Sequence, residues 1–268
     1  MKIDFYQPKS QTLAKYIEGY YFLHRNKNLS KPIRYWTYPN NYCILTFNRN
    51  FSVQENEEGV VLRAHDCLNS ITSLVSRYTK PMQICYEDLI DELTIYFKPL
   101  GINQFMTDAQ SLFEKRVHID FVFSPDFNQK MNELFDLNIE AQIDALESYL
   151  LVLLNEKKLD LIEKIVNDLE ADSKIEEIAR KHNITRQYMN RLFVKHLGKS
   201  PAEYRKIQRF RNSILKRKES KNYTELAQYG FYDQAHFNKD FKLLTGHTPQ
   251  TFLIKSIHLK KIFGYLFK

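Results

Sequence analysis

With 268 residues, 43% hydrophobic and 26% charged, the chain has enough apolar material for one large globular domain or two of ordinary size. Its longest apolar run, Tyr149 to Leu154, is far too short to span a bilayer, and the opening MKIDFYQPKSQ has no apolar segment before a cleavage site. The net charge of +7 is unevenly divided: residues 1–154 hold 15 Lys and Arg against 19 Asp and Glu, residues 155–268 hold 24 against 13, so a mildly acidic half precedes a strongly basic one of the kind that meets a polyanion.

In chain order, the segments IRYWTYP, NYCILTFNR, EGVVLRAH and DELTIYFKP are rich in β-branched and aromatic residues. Turn material such as Pro39-Asn40-Asn41, Glu58-Gly59 and Pro99-Leu100-Gly101 separates them. Short strands at this spacing predict a β-sandwich or small barrel. Cys43, Cys67 and Cys85 are odd in number and form no CxxC pair, which predicts reduced, buried thiols and neither a disulfide frame nor a zinc site. His24, His65 and His118 are too far apart to suggest a metal cluster, so no metal, cofactor or catalytic group is expected in this half.

Helical periodicity takes over near Phe127. Ile139, Ile143, Leu146, Leu150 and Leu153 form an apolar stripe that fits either packing against the barrel or a dimer seam. The charged NEKK at 155–158 marks the boundary between a strand-rich domain, 1–154, and a helical one, 158–254. A basic amphipathic tail, 255–268, follows, and it suits a short docking helix or a membrane surface. Leu159, Ile162, Ile165, Val166 and Leu169 form the first amphipathic face of the helical domain.

The second half contains a duplication. IEEIARKHNITRQYMNRLFVKHLGKSP, 175–201, aligns with YTELAQYGFYDQAHFNKDFKLLTGHTP, 223–249, at a constant offset of 48 residues. Glu177/Glu225, Ala179/Ala227, Asn190/Asn238, Phe193/Phe241, Gly198/Gly246 and Pro201/Pro249 are identical pairs. A unit of this length, present twice, reads as a repeated helix–turn–helix. Thr185 and Asp233 stand at the N-caps of the second helices, Ile184 and Tyr232 at the stapling position before them, and Gly198 and Gly246 at the stops. At about 100° per residue, Met189, Leu192, Phe193 and Leu197 point inward in the first copy, and Phe237, Phe241 and Leu244 in the second. Gln187, Arg191 and Lys195, flanked by Tyr188, Asn190 and Arg186, point outward, as do Ala235, Lys239 and Lys242 with His236, Asn238 and Gln234, while Asp240 intrudes on the second set. Arg and Lys match guanine acceptors and Asn and Gln match adenine, which is major-groove chemistry. The segment PAEYRKIQRFRNSILKRK, opened by Pro201, predicts a stiff connecting helix with phosphate-reaching cations.

At this point the sequence resembles the AraC/XylS family of bacterial transcription regulators over about Leu159 to Ile254. The repeat motifs, Tyr204 and Arg209 of the connecting segment, and GFYDQAHFNKDFKLLTGHTP carry the likeness. The resemblance implies an α+β chain: a cupin-like strand-rich domain, then helices, then an all-α domain with two helix–turn–helix units joined by a long helix. It implies sequence-specific reading of adjacent major-groove segments of double-stranded DNA. Base-reading places fall on Arg186, Gln187, Asn190 and Arg191, and on Gln234, Ala235, His236, Asn238 and Lys239. Phosphate contacts fall on Thr185, Lys195, Lys199, Arg209 and Lys242. RNA polymerase, a small-molecule effector and a homodimer through the first domain are the further partners implied, in a cytoplasmic, nucleoid-associated protein that is not an enzyme. Two departures stand out: the stretch from Ala227 to Gly230 is one residue shorter than the family pattern, and Ser213 replaces the usual alanine. The rival readings are a DNA-repair-type enzyme carrying a reactive cysteine beside the same reading domain, and an architectural DNA-binding protein indifferent to sequence.

Overall fold

The computed structural model describes residues 4–25, 32–55, 57, 59–65, 70–88, 90–216 and 234–252. Ten strands make two sheets among them: β1 (Phe5–Tyr6), β2 (Ile17–Leu23), β3 (Ile33–Thr37), β4 (Cys43–Arg49), β5 (Phe51–Glu55), β6 (Gly59–Ala64), β7 (Ser70–Val75), β8 (Met82–Tyr86), β9 (Asp91–Phe97) and β10 (Val117–His118). One sheet runs β1-β2-β9-β4-β7-β10 and the other β3-β8-β6-β5, with β6–β8 the parallel pair and the remaining pairs antiparallel. The four strand segments expected from composition are all strands. The sequence reading missed the other six: β1 and β10, two residues each, and β2, β5, β7 and β8, whose apolar and polar residues mix without the turn punctuation that marked the expected four.

The first sheet is covered on both faces, and the two-residue side-chain period of its strands sorts them accordingly. Along β9, Leu93, Ile95 and Phe97 face the helices, and Glu92, Thr94 and Tyr96 face the second sheet. Those helices are α1 (Gln11–Ala14), α2 (Phe127–Leu134) and α3 (Ile139–Leu153). The stripe Ile143, Leu146 and Leu150 is buried against Phe47, Leu93 and Phe97, with Ile139 and Leu153 packed at its ends. It is core, so the dimer-seam alternative for this stripe is set aside. Glu147 on the same helix is also buried, and it accepts from the Tyr20 hydroxyl at 2.6 Å and from the backbone N–H of Lys9 and Ser10 at 2.7 and 2.8 Å. Saturating that carboxylate with donors makes its burial tolerable and ties the N-terminal segment to α3.

After residues 154–159, which form no regular element, come α4 (Asp160–Glu170), α5 (Ile175–Lys181), α6 (Arg186–Leu197) and α7 (Pro201–Lys216). A further helix, α8 (Gln234–Thr245), lies beyond an undescribed stretch. The expected cap at Asp233, the staple residue Tyr232, the shortened turn Ala227–Gly230 and the tail all lie outside the described residues. Ile162, Ile165, Leu169, Ile178, Met189 and Phe193 build the core of the first helical unit, which also takes in Leu100 from the strand-rich domain. Ile207, Phe210, Phe237, Phe241, Leu244 and Phe252 build the second, together with Tyr38, which follows β3.

The end of α6 is fixed in two ways. Gly198 turns into the left-handed region at φ +67°, donating its N–H to the Val194 carbonyl at 3.1 Å. A Cβ placed there would lie 2.6 Å from Cβ of Phe113 in the strand-rich domain. Gly198→Ala therefore combines backbone strain with a clash against a buried ring, and chemical denaturation is expected to show a loss of about 1–3 kcal/mol.

Candidate nucleic-acid interface

Helix α6 begins where the Thr185 hydroxyl accepts the Tyr188 N–H at 3.1 Å, satisfying an otherwise free donor. Met189, Phe193 and Leu197 are buried at the spacing of one helical face. Geometry then leaves Arg186, Gln187, Tyr188, Asn190, Arg191 and Lys195 on the exposed face, as the periodicity required. The Arg191 guanidinium lies 5.7 Å from the Tyr188 ring centroid, a stacking that holds the cation upright on the helix surface. Arg186 forms an exposed ion pair with Glu176 of α5 at 3.1 Å, an interaction weak enough to exchange for another anion. Beneath this unit, Asp168 of α4 receives Lys181 at 2.6 Å and His182 at 2.7 Å, joining α4 to the end of α5. Those two contacts hold the Asp168 carboxyl below its usual pKa.

On α8 the exposed residues are Ala235, His236, Asn238, Lys239 and Lys242, with Phe237, Phe241 and Leu244 buried behind them. The Gln234 side chain lies outside the described residues. Asp240, expected on the exposed face, is instead buried. Its carboxylate meets Lys206 of α7 at 3.6 Å and the His236 ring at 3.5 Å, so it braces α8 on the connecting helix and withdraws its charge from the outer surface. The exposed face of α8 is thus free of the one acid that the sequence had assigned to it.

Two of the expected phosphate contacts are engaged elsewhere. Arg209 makes a forked bond to Asp172 at 2.8 and 3.1 Å, gripping the left-handed residue that ends α4. Lys199 is 2% exposed, packed beneath the strand-rich domain near Cys43, where desolvation lowers its pKa to about 8. A buried ammonium cannot reach a phosphate, so Lys199 is corrected from a contact residue to an interface residue. Lys195 and Lys242 remain exposed on the two helices.

The helical domain is seated on the strand-rich one by polar contacts as well. Asn103 donates to the His196 carbonyl at 2.9 Å, completing the C-terminus of α6. Asn41 donates to the Tyr204 carbonyl at 3.1 Å and to Gln208 at 3.4 Å on α7. The described thiols, Cys43 and Cys85, are both buried, and the Cys43 pKa is pushed up to about 11, away from the thiolate that a reactive cysteine needs. Cys67 lies outside the described residues.

Sequence reasoning missed a cavity of about 570 Å³ between the two sheets. Its floor carries Glu92, Thr94, Thr46 and Ser73, its walls are largely tyrosine, and Arg211 reaches it from α7. The alternation Glu-Leu-Thr-Ile-Tyr in β9 was the available signal, since it places a carboxylate and a hydroxyl on the face opposite Leu93 and Ile95.

The strand-rich domain is followed by a helical region in which α6 and α8 each present an exposed polar face. Residues 178–254 match the family model of a helix-turn-helix domain. No curated protein matches the chain at a significant level. Among solved structures, ToxT from Vibrio cholerae aligns with 88% of this chain and 98% of its own at 14% identity and a TM-score of 0.46. An unsaturated fatty acid-bound wild-type ToxT from Vibrio cholerae aligns with 88% of this chain and 93% of its own at 14% identity and a TM-score of 0.45.

Burial of Lys199 has a consequence for stability. Its charge is disfavoured in the folded state, so the penalty is full below about pH 8 and fades as pH rises toward the ordinary lysine value of 10.5. Lys199→Met is expected to raise the denaturation midpoint at neutral pH by the equivalent of roughly 1–3 kcal/mol, with the gain shrinking between pH 8 and 10. Unfolding titrations of both proteins across that range measure it.

Proposed function

We propose that the chain reads specific double-stranded DNA with α6 and α8 as paired recognition helices, and that a small molecule in the inter-sheet cavity controls it. The observation that carries this reading is the pair of exposed faces. Each has an apolar back fixed in a core and an exposed front of Arg, Lys, Gln, Asn or His, the side chains that match base edges in the major groove. Arg186, Gln187, Asn190 and Arg191 read bases in the first unit, and Gln234, Ala235, His236, Asn238 and Lys239 in the second. Ala235 can offer only an apolar contact, such as one to a thymine methyl. Thr185, Lys195 and Lys242 hold phosphates. The reading domain is 158–254, the regulatory domain 1–154, and the tail 255–268 an addition to the former. RNA polymerase and a second copy of the chain are further partners of a regulator of this kind.

Seated on a domain whose described thiols are buried, α6 and α8 favour regulation over repair chemistry. An architectural role would instead make binding indifferent to sequence and steeply dependent on salt.

Selection from a random DNA pool is expected to enrich one motif, and recovery of none would sink the specific-reader assignment. On the enriched site, Arg191→Ala should cost about 1–3 kcal/mol of discrimination at one base position. Lys242→Ala should weaken all sequences nearly equally and flatten the salt dependence by about one counterion. Equal losses on all DNA for both variants would contradict the division of roles.

A further inference from the structure

Three side chains on the exposed face of α6 follow one another at intervals of three residues: Tyr188, Arg191 and Val194. A three-residue step turns a helix by about 300° and advances it by about 4.5 Å. Tyr188 and Val194 therefore flank Arg191 on opposite sides, each rotated from it by about 60° and one step along the axis. All three are exposed, Tyr188 by 39% and Val194 by 47%. The Tyr188 N–H is tied to the Thr185 cap at 3.1 Å, so its ring starts from a fixed first turn. The Arg191 guanidinium lies over that ring, 5.7 Å from its centroid. Arg186, the other arginine of α6, is drawn aside to Glu176 of α5. Val194 joins neither helical core among the described residues, although it is apolar and stands next to the cation.

The twin helix lacks all three parts. At the 48-residue offset, His236, Lys239 and Lys242 of α8 stand where α6 has Tyr188, Arg191 and Val194. The His236 ring meets Asp240 at 3.5 Å, and a lysine ammonium has no planar fork to lay against a ring. The two helices share their apolar backs, Met189 and Phe193 in one and Phe237 and Phe241 in the other. They differ at these front positions, which packing does not dictate.

We propose that Tyr188, Arg191 and Val194 together read a thymine–guanine step in the major groove, and that α8 selects no such step. This rests on the reading of α6 as a recognition helix and names the base step that it selects. A guanidinium carries its donors in its own plane, so its edge can fork to guanine O6 and N7 while both faces stay available. Tyr188 covers one face and holds the plane edge-on to the groove. The other face, on the Val194 side, meets the C5 methyl of the pyrimidine stacked 5′ of that guanine. Thymine has this methyl and cytosine does not, so one arginine separates a thymine–guanine step from a cytosine–guanine step without a hydrogen bond to the first base. Tyr188 acts through Arg191 and is a positioning residue.

The test uses the full chain and the duplex selected from a random pool. That duplex is expected to carry thymine–guanine at the place where Arg191→Ala relaxes the guanine preference. Deoxyuridine in place of the thymine removes only the methyl and should weaken binding about fourfold, the worth of one buried methyl. With cytosine at that place, methylating its C5 should strengthen binding by about the same factor. Tyr188→Leu should lose roughly two- to fivefold on the selected duplex, and part of the guanine preference with it. Tyr188→Phe should retain both, and neither variant should change affinity for a scrambled duplex. Val194→Ala should bring thymine and deoxyuridine closer together and leave the guanine preference in place. Equal binding of thymine and deoxyuridine duplexes, or a motif without thymine–guanine where Arg191→Ala acts, would overturn the base step and leave α6 a recognition helix. A Tyr188→Leu loss equal on selected and scrambled DNA would overturn the positioning role. Enrichment of no motif would overturn specific reading itself, and the base step with it.

Discussion

The C-terminus of α6 ends against the barrel, and the geometry of the rest follows from that junction. Gly198 adopts a left-handed turn that brings the backbone onto the Phe113 ring, and Asn103 takes up the carbonyl of His196 that the helix leaves over. A helix fastened at its far end by another domain keeps its N-terminal half, with Gln187, Asn190 and Arg191, facing outward. Lys199, one residue past the turn, is buried by the same junction. The cost of burying that ammonium is consistent with a seam kept for positioning and not for stability alone.

A second consequence is that the strand-rich domain contributes to both helical cores. Leu100 joins the first and Tyr38 the second, where its ring lies 4.8 Å from Phe252. The loop between β3 and β4 thus touches the connecting helix through Asn41 and the second unit through Tyr38, while Asn40 and Tyr42 in the same loop line the cavity.

The first sheet explains why a cavity exists at all. Its strands are buried on both faces, so alternate residues must satisfy different neighbours. Leu45, Phe47, Leu93 and Ile95 pack on helices, and their alternates Thr46, Asn48, Glu92 and Thr94 satisfy one another across strands. A polar face of that kind cannot close tightly on the apolar second sheet. Space is left between them.

Much of the helical domain was legible from residue order, since caps, stops and inward faces are local. Thr185, Gly198, Met189 and Phe193 each play the part their positions imply, and the twin copy 48 residues on made the pattern recognisable. Residue order also determined the basic half and four of the strands. Tertiary structure alone decided the fates of Asp240, Lys199 and Arg209, because a charge on a helix face is exposed or buried according to what another element places beside it. It alone brought Arg211 to a cavity floored by Glu92, two residues 119 positions apart in the chain that line one space only because α7 is seated on the strand-rich domain. Local spacing fixes which face of an element is apolar; long-range packing fixes what that face, and the polar one behind it, will meet.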